Sequence, residues 1–142
     1  MKLSSLLPFF ALASAYDILR AGMMYVSKLD GIPTRKNLIS QGVRLVVATE
    51  GSRFDYDKRG SLKLTGSGRY LSVNEAGKLV FIDEPDTEFF LTREGSSRSR
   101  KRLSYKGNTI FQMCGDDSIG FKSDCEDARN VLITYEDINY QM

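Results

Sequence analysis

Histidine is absent from the 142 residues. Its absence excludes Ser-His-Asp and Cys-His nucleophilic arrangements, the usual general base near neutral pH and the commonest zinc ligand. Tryptophan is absent too, so Phe and Tyr must carry much of the aromatic burial. Neither sign of charge prevails, with 20 Lys and Arg against 18 Asp and Glu, and bulk electrostatics therefore selects no class of partner. Asn37, Asn74, Asn108, Asn130 and Asn139 all lack Ser or Thr two positions on, which excludes N-glycosylation and leaves O-linked sugar, for instance on Ser96 to Ser99. After the first twelve residues no long apolar run recurs.

That single run sets the expected compartment. Lys2 precedes Leu3 to Leu12, which is apolar apart from Ser4, Ser5 and Pro8, and Ala13-Ser14-Ala15 then offers the small residues signal peptidase requires. The chain reads as residues 1–15 of signal peptide, cleaved between Ala15 and Tyr16, and residues 16–142 of one mature domain. The run is too short and too interrupted to span a bilayer, which takes roughly 20 mostly apolar residues. The polar end, Asp137 to Met142, is not a GPI-attachment tail. The expectation is a secreted, extracellular monomer with no membrane anchor. Cys114 and Cys125 are the only cysteines, and in an oxidising compartment they are expected to pair. One follows the burst Ile110 to Met113 and the other follows Ser118 to Phe121, with an acidic turn between that makes a hairpin.

Periodicity points to strands. Leu62-Lys63-Leu64, Tyr70-Leu71-Ser72-Val73, Lys78 to Ile82 and Glu88 to Thr92 have strand length, and the gaps Thr65 to Gly68, Asn74 to Gly77 and Asp83 to Asp86 have turn composition. No window there holds helical apolar spacing. The order returns in Leu103 to Tyr105, Thr109 to Met113, Ser118 to Phe121 and Val131 to Tyr135, with Leu62 and Leu103 separated by 41 residues and Leu79 and Ile119 by 40. A weaker first copy runs through Asp17 to Arg20, Met23 to Val26, Asn37 to Ile39 and Val43 to Ala48. Three units of about four strands (roughly 16–51, 61–95 and 102–137) predict an all-β, β-trefoil-like fold, with a β-sandwich as the alternative. The expected core is Leu45, Leu64, Leu71, Val73, Leu79, Phe81, Phe90, Ile110, Phe111, Ile119, Phe121 and Leu132.

At these strands the chain also resembles a family. Leu62-Lys63-Leu64, Gly68 to Phe81, Phe89-Phe90-Leu91 and Leu103 to Lys106 look like the N-terminal globular domain of fungal cell-wall mannoproteins, over roughly Leu62 to Thr134. The resemblance implies a secreted or wall-associated fungal protein. The chain lacks the Ser/Thr-rich stalk and GPI signal that such proteins commonly carry.

Few residues offer chemistry. Asp116, Asp117, Asp124, Glu126 and Asp127 could supply a glycosidase-type carboxylate pair, but such a pair needs one carboxyl held protonated by burial, and these sit in open turns. The spacing of a calcium loop is missing, and Gly66-Ser67-Gly68 lies between strands as a hairpin turn instead of opening a helix. No cofactor or metal is expected. Ser96 to Arg102 gathers Arg98, Arg100, Lys101 and Arg102 between two units, and three readings stay open. They are a solvated linker, a docking patch for an anionic polymer, and a dibasic processing site at Lys101-Arg102, a dipeptide that recurs as Lys58-Arg59. Nucleic acid is not the expected partner, because no aromatic residues interleave with the cations. Two functions follow. One is a non-enzymatic secreted or wall-associated protein binding cell-wall polysaccharide, another glycan or a surface protein. The other is a secreted effector or killer-toxin-like precursor processed at its dibasic sites.

Overall fold

The fold is all-β and comes from a computed structural model that describes residues 19–138. The signal-peptide expectation, with cleavage between Ala15 and Tyr16, lies outside the described residues. Twelve strands run in chain order: β1 (Leu19–Leu29), β2 (Ile32–Gln41), β3 (Arg44–Ala48), β4 (Arg53–Asp57), β5 (Ser61–Leu64), β6 (Tyr70–Val73), β7 (Leu79–Ile82), β8 (Phe89–Arg93), β9 (Arg100–Tyr105), β10 (Phe111–Met113), β11 (Ile119–Gly120) and β12 (Arg129–Asp137). Their boundaries fall where turn chemistry dictates. Asp30-Gly31 and Lys106-Gly107 take the paired positive φ angles of a tight hairpin, and Gly60, at φ 106°, turns β4 into β5. A Cβ on Gly60 would lie 2.4 Å from the Thr87 carbonyl oxygen, so no other residue fits there.

Antiparallel pairing passes from β1 through β2, β3, β7, β6, β5 and β4 back to β1, closing a seven-stranded ring. A closed ring removes free edges and leaves no pair of open facing sheets, which overturns the β-sandwich alternative. The remaining strands extend it: β12 pairs with β1, β9 and β10, and β8 pairs with β9. The hairpins β2–β3, β6–β7 and β10–β11 meet one another, with Arg44 opposite Val80, Val46 opposite Ser118 and Lys78 opposite Gly120.

The interior is aromatic, as the lack of Trp requires. Phe54 stacks on Phe81 at 6.2 Å, and Phe89, Tyr105, Phe121 and Phe111 form a chain of ring contacts between 4.6 and 5.4 Å. Tyr135 is fully buried, and its hydroxyl reaches the carbonyls of Arg20 and Phe54. Of the expected core, Leu45, Leu71, Leu79, Phe81, Phe111, Ile119 and Phe121 are buried, and Leu64 and Val73 pack against them. Leu132 is half-buried. Phe90 and Ile110 are corrections, at 45% and 39% exposed. In the pairs Phe89-Phe90 and Ile110-Phe111 alternation turns one neighbour in and the other out, and the buried members are Phe89 and Phe111.

The first unit differs from expectation. The sequence pattern predicts two strands at Asp17 to Arg20 and Met23 to Val26, yet from Leu19 onward a single eleven-residue β1 runs through both, and Arg53–Asp57 forms a strand beyond the expected unit. The Cys114–Cys125 disulfide is present, with Cα atoms 5.8 Å apart. Cys114 directly follows β10, as the hairpin argument requires, and the bridge contributes roughly 2–3 kcal/mol in the loop-entropy account.

Candidate functional site

The two cationic segments, some forty residues apart in sequence, converge on one end of the barrel. Arg20 sits opposite Tyr56 on β4, beside the Lys58-Arg59 turn. Its guanidinium lies 3.5 Å from Asp137 on β12, and the other oxygen of Asp137 accepts from Lys101 Nζ at 3.1 Å. Lys101 in turn faces Arg93 across the β8–β9 ladder. The turn Lys58-Arg59 and the loop from Arg93 to Lys101 therefore border one surface, away from the junction of the three hairpins.

Ion pairing decides how much of this charge is free. The expectation that Ser96 to Arg102 is a wholly exposed linker needs correction, because Arg100, Lys101 and Arg102 open strand β9. Arg102 donates to Glu94 Oε2 at 2.8 Å, and Arg100 lies 3.7 Å from the same carboxylate. Burial alone would raise the Glu94 pKa. Hydrogen bonds from Arg102 and from the Thr134 hydroxyl, with the charges of Arg102 and Arg100, outweigh it and hold Glu94 below the usual range. Lys101 has only 16% of its side chain exposed. Asp137 Oδ1 is buried with no hydrogen-bond partner among the described residues, its charge met by Arg20. At the other segment, Arg59 donates to both oxygens of Asp57, and that bond holds the Asp57 carboxyl below its ordinary pKa.

Free charge is left on different residues. Lys58, Arg93 and Arg98 are exposed and make no ion pair among the described residues, and Arg59 and Arg100 stay largely exposed despite their partners. The surface is net positive, with Arg20, Lys58, Arg59, Arg93, Arg98, Arg100, Lys101 and Arg102 against Asp57, Glu88, Glu94, Glu136 and Asp137. Six of these eight cations stand out in the sequence; Arg20 and Arg93 do not, because they stand alone in sequence and join the surface only through strand pairing.

The dibasic bonds are both held. Lys101 and Arg102 are paired on two sides, with Arg93 and Thr92 of β8 and with Tyr135 and Thr134 of β12. Arg59 sits in a turn where its N–H and that of Gly60 donate to Asp57.

The acidic residues gather near the disulfide. Asp116, Asp117, Asp124, Glu126 and Asp127 are all exposed. The hydroxyl and amide of Ser118 donate to Asp116, Arg44 adds a 3.0 Å ion pair, and together they hold Asp116 far below the usual carboxylate range. A carboxylate so stabilised cannot serve as a protonated acid near neutral pH. A separate cleft of about 480 Å³ has an apolar floor of Ile110, Val131 and Leu132 and a rim of Lys28, Asp30 and Asn130. Its carboxylate is already taken, since Asp30 accepts from Arg129 Nε and from the Asn130 amide.

No family model matches the chain, and neither the curated proteins nor the solved structures hold a match to it.

Proposed function

We propose that this chain is a secreted, non-enzymatic β-trefoil that binds an anionic polymer of a fungal cell wall through the cationic end of its barrel. The trefoil reading takes β1, β4, β5, β8, β9 and β12 as the barrel and the three mutually contacting hairpins as its cap. It is supported by the pairings β1–β4, β4–β5, β8–β9, β9–β12 and β12–β1, and by the Phe89 N–H donating to the Gly60 carbonyl between β8 and β5.

One observation carries the binding reading. Two cationic segments and two isolated arginines meet on one surface, and Lys58, Arg93 and Arg98 there make no ion pair among the described residues. Clustered unpaired cations focus potential even when net charge is near zero. The resemblance to cell-wall mannoproteins favours a wall polysaccharide over other polyanions. The processed-precursor alternative is not favoured, because Lys101-Arg102 is paired on both sides within β9 and Arg59 is tied to Asp57 in a short turn.

Retention on isolated cell walls tests the reading. The combined variant Lys58→Gln, Arg93→Gln, Arg98→Gln should be released, and wild type should elute as salt rises, since exposed charges are screened beyond about 10 Å at 0.1 M. The melting temperature should stay unchanged, because unpaired surface charges contribute little to stability. Retention that survives both salt and substitution would overturn the proposal.

A further inference from the structure

Phe90 is the outlier of the barrel wall. Its neighbour Phe89 is fully buried, while Phe90 leaves 45% of its surface in water. Register places it beside the cations. The Phe89 N–H donates to the Gly60 carbonyl at 2.9 Å, which brings Phe90 alongside the Lys58-Arg59 turn. On its other side Phe90 pairs with Ser104 of β9, one pleat from the pair Thr92 and Arg102 and two pleats from Glu94 and the exposed loop that follows it. Along β8 the residues on its own face are Glu88 and Thr92, both exposed. An apolar ring is thus set between a cationic turn on one side and, farther along its own strand face, Arg102 opposite Thr92 and the loop that carries Arg98.

We propose that Phe90 is a stacking platform and that the polymer this surface takes is a phosphorylated saccharide instead of a bare polyanion; the inference rests on the cationic-end reading above. A sugar ring has one face of C–H bonds, which packs on the electron-rich face of an aromatic ring. Its phosphate needs cations close by: Lys58 makes no ion pair among the described residues, and Arg59, whose Nε and Nη2 are taken by Asp57, keeps Nη1 and a largely exposed side chain to offer. The carboxylate of Glu88 lies on the same strand face. It repels the phosphate toward the turn and accepts hydroxyl hydrogens from the ring, which fixes the orientation of the saccharide. A polyanion without a ring would use the cations and leave Phe90 idle.

Three immobilised probes separate these cases: an oligosaccharide bearing phosphodiesters, inorganic polyphosphate, and anionic phospholipid vesicles. Phe90→Ala should weaken binding to the phospho-oligosaccharide by roughly threefold to tenfold, the range of one aromatic contact, and leave polyphosphate binding unchanged. Saturation-transfer NMR should show sugar C–H protons against the Phe90 ring in wild type alone. An unchanged melting temperature for Phe90→Ala keeps folding out of the comparison. Equal loss on the saccharide and on polyphosphate, or no loss on either, overturns the platform while leaving the cationic surface intact. Loss confined to vesicles would overturn it in favour of a membrane contact. Failure of wild type to hold any of the three probes would instead remove the cationic-end reading itself.

Discussion

Glu94 shows how a single carboxylate converts an exposed-looking cation run into structure. It lies on the loop after β8 and folds back so that Arg102 donates two bonds to Oε2 while Thr134, fully buried, donates a third. Without Glu94 the half-buried guanidinium of Arg102 would lose its carboxylate, while the Thr134 hydroxyl would still have Ser27 Oγ at 2.8 Å; a charged group left so unpaired costs about 1–3 kcal/mol. Glu94→Gln keeps the shape but loses the charge, and a loss of about 1–3 kcal/mol in urea unfolding is expected. The pH dependence has a definite sign. Because the folded-state pKa is held below its unfolded value, the stabilisation is complete above the unfolded pKa of about 4.3 and is lost as pH falls through the lower folded value. Glu94→Gln should therefore flatten the fall in stability that wild type shows below about pH 4.3. Equal slopes in the two proteins below that pH would mean that the carboxylate is not held by its neighbours.

At the scale of elements, the β6–β7 and β10–β11 hairpins are one device written twice. The Asn74 N–H donates to Lys78 and that of Gly77 to Asn74; forty residues on, Cys114 donates to Ser118 and Asp117 to Cys114. The left-handed position is Gly77 at φ 81° in one copy and Asp117 at φ 68° in the other. A Cβ at Gly77 would also meet the Phe121 carbonyl oxygen at 2.9 Å. Gly77→Ala is expected to cost at least about 1–2 kcal/mol from backbone conformation alone, whereas Asp117→Gly should be neutral or slightly stabilising; urea midpoints of the two variants check both signs. The same hairpins explain what was legible in sequence. Turn chemistry at Asn74 to Gly77 and Gly115 to Asp117 marked the strands, their period and the disulfide, because local φ requirements and spacing are properties of nearby residues. The face of Phe90 was not legible, since two adjacent aromatics alternate equally well in either register. Strand β4 was missed because Arg53-Phe54-Asp55-Tyr56-Asp57 alternates charge with aromatics between turn residues, and its partners β1 and β5 lie on both sides of it. The pairing of Arg100, Lys101 and Arg102 was not legible for a related reason: their acidic partners Glu94 and Asp137 arrive from a loop and from the far end of the chain.

For the whole molecule, the fate of the Lys101-Arg102 site depends on the pairing of β9 on both sides and not on local accessibility. An endoprotease that cuts after paired basic residues must draw several residues of its substrate into an extended conformation in its own cleft. Freeing Lys101-Arg102 means detaching β9 from β8 and from β12, and it also breaks the Glu94 and Asp137 ion pairs. Leu103, the next residue, is fully buried in the core. Held between β8 and β12, β9 is not an edge strand that can peel away, so the opening that exposes it takes a large share of the free energy of global unfolding. Cleavage should then follow the small population of unfolded chain. A purified dibasic-specific endoprotease is expected to leave the folded protein intact after Arg102 and to cut there once urea passes the unfolding midpoint, with the fragments identified by mass spectrometry. The rate at lower urea should fall in step with the unfolded fraction measured by circular dichroism. Rapid cleavage after Arg102 of the folded protein, at a rate independent of urea below the midpoint, would show that β9 opens locally, and the processed-precursor reading would then displace the binding protein.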